Sequence, residues 1–312
     1  MMNRFTLILC GLALGACSSV DNTLTSPDGN VSLSFGLTSE GQPEYSITFL
    51  GEQIIKPSTM GFDLKDAAPL TSGFKIDKVT HSQADETWTP VWGENSEIRN
   101  HYNTMTVSMS QKDGDTVRKM DIEFRVYDDG AAFRYIFPEQ ETKQFVITDE
   151  LTQMAMGGDY TAWWIPGDYD TQEYEYTRSL LSEIRGLSTK DQMNNVSQSV
   201  FSPTGVQTSL MLKTPSGKYL NLHEAALIDY PAMHLNLNDT TMTFTSWLTP
   251  SPDGTKATFH TPFKTPWRVI MAGDEATDIL ATDIIYNLND PCALDDTSWI
   301  HPTKYMGVWW EM

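Results

Sequence analysis

Apolar and polar residues alternate with a period of two along most of this chain. Val31-Ser32-Leu33-Ser34-Phe35 and Tyr45-Ser46-Ile47-Thr48-Phe49 each put every second side chain on one face, as strands with a single buried face do. Gly51-Glu52 precedes another apolar pair, Ile54-Ile55. The clearest hairpins come next. Residues 104–110 alternate, Lys112-Asp113-Gly114-Asp115 turns, and 120–127 alternates again. Asp128-Asp129-Gly130 then turns into 132–137. Asp-Gly between alternating runs signals a tight hairpin because glycine accepts the positive φ such turns require. Further strands are expected at 208–213, 219–228, 242–248 and 267–271. Helical spacing occurs at 276–288, where Ile279, Leu280, Ile284, Ile285 and Leu288 recur, with Asp274 as the expected cap. Many short strands punctuated by Gly, Asp and Pro predict an all-β fold, a large antiparallel sandwich with few short helices.

Both ends depart from this pattern. Met1-Met2-Asn3-Arg4 is a short basic stretch followed by an apolar run that closes on Leu14-Gly15-Ala16-Cys17. That is the layout of an export signal over 1–16, too short to span a bilayer. Cys17 stands where a bacterial lipobox places its lipidated cysteine, with Ser18-Ser19 after it. An ordinary signal cleaved near Ala16, with Cys17 incidental, is the alternative. The lipobox reading places the protein outside the cytoplasm, in the periplasm or at the outer membrane, touching membrane only through a lipid anchor. At the other end, Tyr305-Met306-Gly307-Val308-Trp309-Trp310-Glu311-Met312 reads as an apolar strand with no following turn. Such strands need neighbours, so 291–312 is expected to be a linker plus the first strand of a further domain, after a sandwich domain at 22–290.

Charge narrows the partners. Removing 1–16 takes away Arg4 alone and leaves 20 basic against 41 acidic residues, a formal charge of −21. That argues against nucleic acid and anionic lipid surfaces and suits neutral ligands or calcium. The cysteines are Cys10, Cys17 and Cys292, so no disulfide is expected in the sandwich and Cys292 is expected in the core.

An ordered set of strings resembles the amino-terminal part of glycoside hydrolase family 97. It comprises Ser26-Pro27-Asp28-Gly29-Asn30, Ser58-Thr59-Met60-Gly61-Phe62, Trp92-Gly93-Glu94 and Ile98-Arg99-Asn100. The most specific is Phe124-Arg125-Val126-Tyr127-Asp128-Asp129-Gly130-Ala131-Ala132-Phe133-Arg134-Tyr135. Glu224-Ala225-Ala226-Leu227, Tyr230-Pro231, Thr265-Pro266-Trp267-Arg268, Ser298-Trp299-Ile300 and Trp309-Trp310 follow. The resemblance implies a β-supersandwich of the galactose mutarotase type, followed by a catalytic (β/α)8 barrel whose first strand is the stub at 305–312. It also implies action on α-glucosides or α-galactosides, hence oligosaccharide ligands, with the missing barrel as partner. His301-Pro302-Thr303-Lys304 departs from the family's Lys-Pro-Gly-Lys in the turn leading to the barrel.

Glycoside hydrolysis needs two carboxyl groups flanking the scissile bond, and in a barrel enzyme these sit at strand ends. No catalytic residue is therefore assigned within the chain. The most function-like stretch is Asp168-Tyr169-Asp170-Thr171-Gln172-Glu173-Tyr174-Glu175-Tyr176. The resemblance implies that a sandwich glutamate helps hold an active-site calcium, and places that role on Glu175, with Glu173 second. Calcium takes six to eight oxygens, so the others must come from outside the loop; a solvated loop face anchored by Tyr174 and Tyr176 is the alternative. Of the nine tryptophans, Trp88, Trp247 and Trp267 read as core, and Trp163 or Trp164 as a domain-interface residue. Trp310 is the expected sugar platform, with Glu311 as a polar contact. His223-Glu224 is read as structural, because neighbours on a strand face opposite ways. A non-catalytic, glycan-binding envelope lipoprotein is the alternative function.

Overall fold

The computed structural model describes residues 22–188 and 199–307. Two antiparallel sheets lie face to face. The first has eight strands in the spatial order Thr23–Thr25, Val31–Leu37, Pro43–Phe49, Glu52–Thr59, Gln153–Met156, Thr243–Leu248, Met233–Asn238 and Gly205–Gln207. The second has ten. It begins Thr177–Leu180, Thr161–Trp164, Leu210–Lys213, Tyr219–Ala225 and Trp267–Gly273. Gly130–Phe137, Thr116–Tyr127, Ile98–Asp113 and Phe74–Trp88 continue it, with Phe263–Lys264 pairing beside Gly130–Phe137. A small third sheet of Ala257–His260, Gln144–Glu150 and Phe62–Leu64 flanks the sandwich. The all-β sandwich is the fold the alternation predicts.

The core sits between the two large sheets. Val31, Leu33, Phe35, Tyr45 and Ile47 of the first meet Val107, Ile122, Phe124, Phe133 and Tyr135 of the second in one buried cluster. Phe35 and Phe124 ring centres are 5.3 Å apart, and those of Tyr45 and Phe133 are 4.8 Å apart. Burial alternates strictly along Pro43–Phe49, as its sequence requires. Trp267–Gly273 is buried on both faces instead, because Ile284 and Leu288 cover its outer side. Both anticipated hairpins form: Asp113 pairs with Thr116, and Tyr127 pairs with Gly130. Gly130 has φ of 155°, and a Cβ there would stand 2.4 Å from the Ile270 carbonyl, so only glycine fits.

Several local expectations are corrected. The helical stretch forms two short helices, Ala276–Ala281 and Ile284–Asn287. The break falls at Thr282, whose backbone is extended and whose hydroxyl donates to Asp129. Glu275, not Asp274, begins the first helix, its N–H donating to Asp278; Asp274 pairs instead with Lys218. The strand expected at 219–228 stops at Ala225, because Ala226 turns into the left-handed region at φ of 52°. Cys292 is exposed rather than in the core, since it lies past the last helix on a stretch with no layer above it. Residues 305–307 are exposed, and 308–312 of the strand expected at 305–312 lie outside the described residues. The long strand Phe74–Trp88 has no counterpart in the sequence reading.

One polar cluster lies inside the sandwich. The Arg268 guanidinium, fully buried, donates from Nε and Nη2 to the two Glu150 oxygens at 2.8 and 2.6 Å, and from Nη1 to Glu224 at 2.8 Å. Glu150 also accepts from the Thr152 and Tyr230 hydroxyls at 2.8 and 3.0 Å. The Tyr135 and Thr152 hydroxyls are 2.6 Å apart, and the Met233 N–H donates to Glu224. His223 faces the opposite side of its strand, so it and Glu224 are structural, as their adjacency implied. Two carboxylates against one guanidinium are affordable here only because every oxygen is hydrogen-bonded. Arg268→Ala strands both carboxylates and is expected to cost about 3–5 kcal/mol. Thermal unfolding should then shift down by on the order of 10 °C; an unchanged melting temperature would contradict the role given to Arg268.

Candidate functional site at the acidic loop

The segment 165–176 leaves and rejoins the ten-stranded sheet at one place, because Trp164 and Thr177 are register partners. Its base is packed rather than solvated. Trp164 is buried and its indole N–H donates to the Ser179 hydroxyl at 3.0 Å. Gly167 lies under Phe201, where a Cβ would meet the ring at 2.4 Å. Asp168, only 2% exposed, fixes the loop. Its Oδ1 accepts from the Asp170 and Thr171 N–H groups at 2.7 and 3.3 Å. Its Oδ2 accepts from the Tyr174 hydroxyl at 2.6 Å and the Ser199 N–H at 3.0 Å.

Burial alone would raise the Asp168 pKa, but the Tyr174 hydroxyl and the Asp170, Ser199 and Thr171 amides outweigh it and hold the carboxyl below its ordinary range. Burial first, and the Asp168 charge second, push the Tyr174 hydroxyl the other way, so it stays a donor. Beneath the loop, the Phe201 ring stacks between Tyr169 and Trp247 with centroid separations of 5.4 and 5.0 Å. His234 sits edge-on to Tyr169 and Phe201, and its Nε2–H donates to the Asp168 carbonyl at 2.9 Å. Burial lowers the His234 pKa despite that carbonyl, so the ring is neutral near pH 7.

With Tyr174 turned inward, its neighbours turn outward. Glu173 and Glu175 are both exposed, and neither carboxylate has an ion-pair or hydrogen-bond partner among the described residues. Each is a hard oxygen donor on a backbone held from below, which suits calcium. Among the described residues no group of three or more His, Cys, Asp or Glu converges as a metal site. Cys17, Trp310 and Glu311 lie outside the described residues. Trp267 is core, as expected, whereas Trp88 and Trp247 are half-buried. Trp163 is half-buried on the strand next to the sheet edge, its ring centroid 5.5 Å from the guanidinium of Arg178 on the edge strand. Asp168 as the anchor, with Ser199, Phe201 and His234 around it, was not singled out in the sequence. An Asp two and three residues before Asp170-Thr171 is the local signal of a side chain capping its own turn; Ser199, Phe201 and His234 left no local signal.

Residues 24–291 match the family model described as "Glycosyl-hydrolase 97 N-terminal". The chain belongs to that family. It is 27% identical over 324 residues to a retaining alpha-galactosidase of Bacteroides thetaiotaomicron, an alignment covering 97% of this chain and 46% of the relative. It is 24% identical to a probable retaining alpha-galactosidase of Streptomyces bingchenggensis, covering 83% of this chain and 36% of the relative. Among solved structures, a family 97 enzyme from Pseudoalteromonas sp. strain K8 in complex with acarbose superposes with a TM-score of 0.78 at 33% identity. That match covers 90% of this chain and 40% of the other. The chain thus spans less than half the length of the relatives it matches.

Asp168→Ala leaves the Tyr174 hydroxyl and three amides without their acceptor and is expected to cost about 2–4 kcal/mol. Hydrogen exchange should show protection lost at the Asp170, Thr171 and Ser199 amides, and retained protection would contradict the anchor. Asp168 and His234 both take up a proton more readily in the unfolded chain, so stability falls as pH falls. The His234 share goes first, below about pH 6.5, and the Asp168 share below about pH 4. The difference in melting temperature between wild type and Asp168→Asn should shrink as pH falls below about 4; a difference that does not change with pH would contradict the Asp168 assignment.

Proposed function

We propose that this chain is the sandwich portion of a longer, exported, lipid-anchored and calcium-dependent glycoside hydrolase acting on α-glucosides or α-galactosides. The observation that carries this reading is the unspent Glu175 carboxylate, presented to solvent by a loop whose other side is tied down through Asp168 and Tyr174. The family match and the relatives' retaining alpha-galactosidase names support the reaction class. Support for a longer parent comes from relatives more than twice the length matched.

Glycosidase chemistry requires two reachable carboxyl groups, one to protonate the leaving oxygen and one to attack or to activate water. Glu150 and Glu224 are close to each other through Arg268, yet both are sealed in the sandwich and bonded to it, so neither can reach a sugar. The family resemblance implies that the reacting carboxyls lie in a barrel, and we assign them to the barrel of the parent. Glu175, with Glu173 as second candidate, gives a calcium ion one ligand from this side of the domain boundary. A bound calcium would supply fixed positive charge beside the substrate oxygens. The role of this chain's residues is to hold that carboxylate in place: Asp168 sets the turn, Tyr174 locks it, and the Phe201 stack supports it. Trp310 and Glu311 are proposed sugar contacts at the start of the barrel, and Cys17 the lipid attachment point.

In the full-length parent, Glu175→Ala is expected to raise the calcium concentration needed for half-maximal activity about tenfold or more, one lost charged ligand being worth at least about 1.4 kcal/mol. The melting temperature of the sandwich should not change. An unaltered calcium response would remove Glu175 from the metal site. Labelled palmitate should enter the wild-type protein in bacterial cells and not the Cys17→Ala variant; absence of label in wild type, beside a labelled control lipoprotein, would refute the anchor.

A further inference from the structure

The outer face of the ten-stranded sheet carries a second feature that shares no residue with the acidic loop. It is a cavity of about 710 Å³. Its floor is Tyr102, Arg125, Arg134 and Trp267, and its walls are the 88–92 segment and the helix Ile284–Asn287 with the residues after it. The walls are fixed to one another. The Trp88 indole N–H donates to Asn287 Oδ1 at 2.8 Å, and Asn287 Nδ2 donates to the Arg99 carbonyl at 2.9 Å. The volume lies in the range of small-molecule sites and far above the roughly 30 Å³ of one water.

The polar groups of the floor are incompletely used. Arg125 and Arg134 stack on Trp267, at 4.8 and 4.3 Å from the ring centroid, and both donate to the single Glu123 carboxylate. Each spends only part of its five N–H groups there. Trp267 and Asn100 both line the cavity; the Trp267 indole N–H and the Asn100 Oδ1 are buried without a hydrogen-bond partner. A buried donor and a buried acceptor left open beside one cavity cost free energy. A hydroxyl satisfies both kinds of group, because it gives and accepts a hydrogen bond. Glu86 and Asp290 at the cavity more than offset the one positive charge that Glu123 leaves on the floor, which disfavours an anionic occupant and suits a neutral one. Trp92 and Tyr286 also line it and are 57% and 58% exposed, offering aromatic faces to an apolar ring face.

We propose that this cavity is a carbohydrate site in its own right, taking one or two neutral pyranose rings, hydroxyls toward Arg125, Arg134 and Asn100 and ring faces toward Trp92 and Tyr286. It binds sugar without cleaving it and without the acidic loop. The inference stands on the cavity's own chemistry and is independent of the calcium proposal.

Calorimetric titration of the chain with maltose and with melibiose tests it. Saturable binding of at least one is expected with a dissociation constant on the order of 1 mM, and Trp92→Ala and Tyr286→Ala should each weaken it about tenfold. Both side chains are exposed, and circular dichroism verifies that the variants fold. Glu175→Ala should leave the affinity unchanged. No saturable heat with either sugar up to about 20 mM, binding that survives the Trp92/Tyr286 double variant, or binding lost in Glu175→Ala would each overturn the proposal.

Discussion

Arg268 is the point at which the layers of this protein are joined. Its strand belongs to the ten-stranded sheet, its bidentate partner Glu150 to the small flanking sheet, and the Ser246 hydroxyl of the eight-stranded sheet donates to the Glu150 carbonyl at 2.7 Å. Hydrophobic contact between two sheets is non-directional and tolerates sliding. A forked guanidinium facing a carboxylate does not, since its geometry admits one arrangement. The cluster therefore sets which residues oppose which across the sandwich. Burial pushes the Glu224 carboxyl up and the Arg268 charge pulls it back, while the Tyr135 and Tyr230 hydroxyls are held far above their usual range and stay as donors.

What the sandwich presents follows from that fixed arrangement. At one sheet edge, the Trp164–Thr177 pairing pins both ends of the acidic loop, and its four acids divide into two that are hydrogen-bonded, Asp168 and Asp170, and two that face solvent, Glu173 and Glu175. The difference between Asp168 and Glu175 is one of environment: four donors surround the first, and solvent surrounds the second. On the outer face, the helix Ile284–Asn287, which helps bury Trp267, Val269 and Met271, also walls the cavity above Arg125 and Arg134. Both surfaces thus grow from strands anchored in the same core.

The fold was legible wherever one strand face is buried. Pro43–Phe49 and Thr116–Tyr127 show the alternation in sequence and in burial alike, and the Gly130 turn follows from backbone sterics alone. Phe74–Trp88 was not legible, because most of its fifteen residues are exposed and polar. It is an edge strand, and its Lys and Asp residues suit an edge that must not recruit another chain, which removes the period-two signal. The helical stretch was read as one element because spacing reports a face and not continuity; the break depends on Asp129, far away in sequence. The same holds for the site. Glu175 was reached through family resemblance, whereas the His234 and Ser199 supports of the loop are long-range contacts that no local pattern encodes.

We propose that this sandwich lends a carboxylate to a metal site completed by another domain. Anomalous diffraction from crystals of the full-length parent grown with calcium addresses it directly. The account predicts a calcium peak about 2.3–2.6 Å from a Glu175 carboxylate oxygen, with Asp168 still bonded to Tyr174 beneath it. A calcium ion coordinated wholly by residues outside this chain, with Glu175 left in solvent, would contradict it.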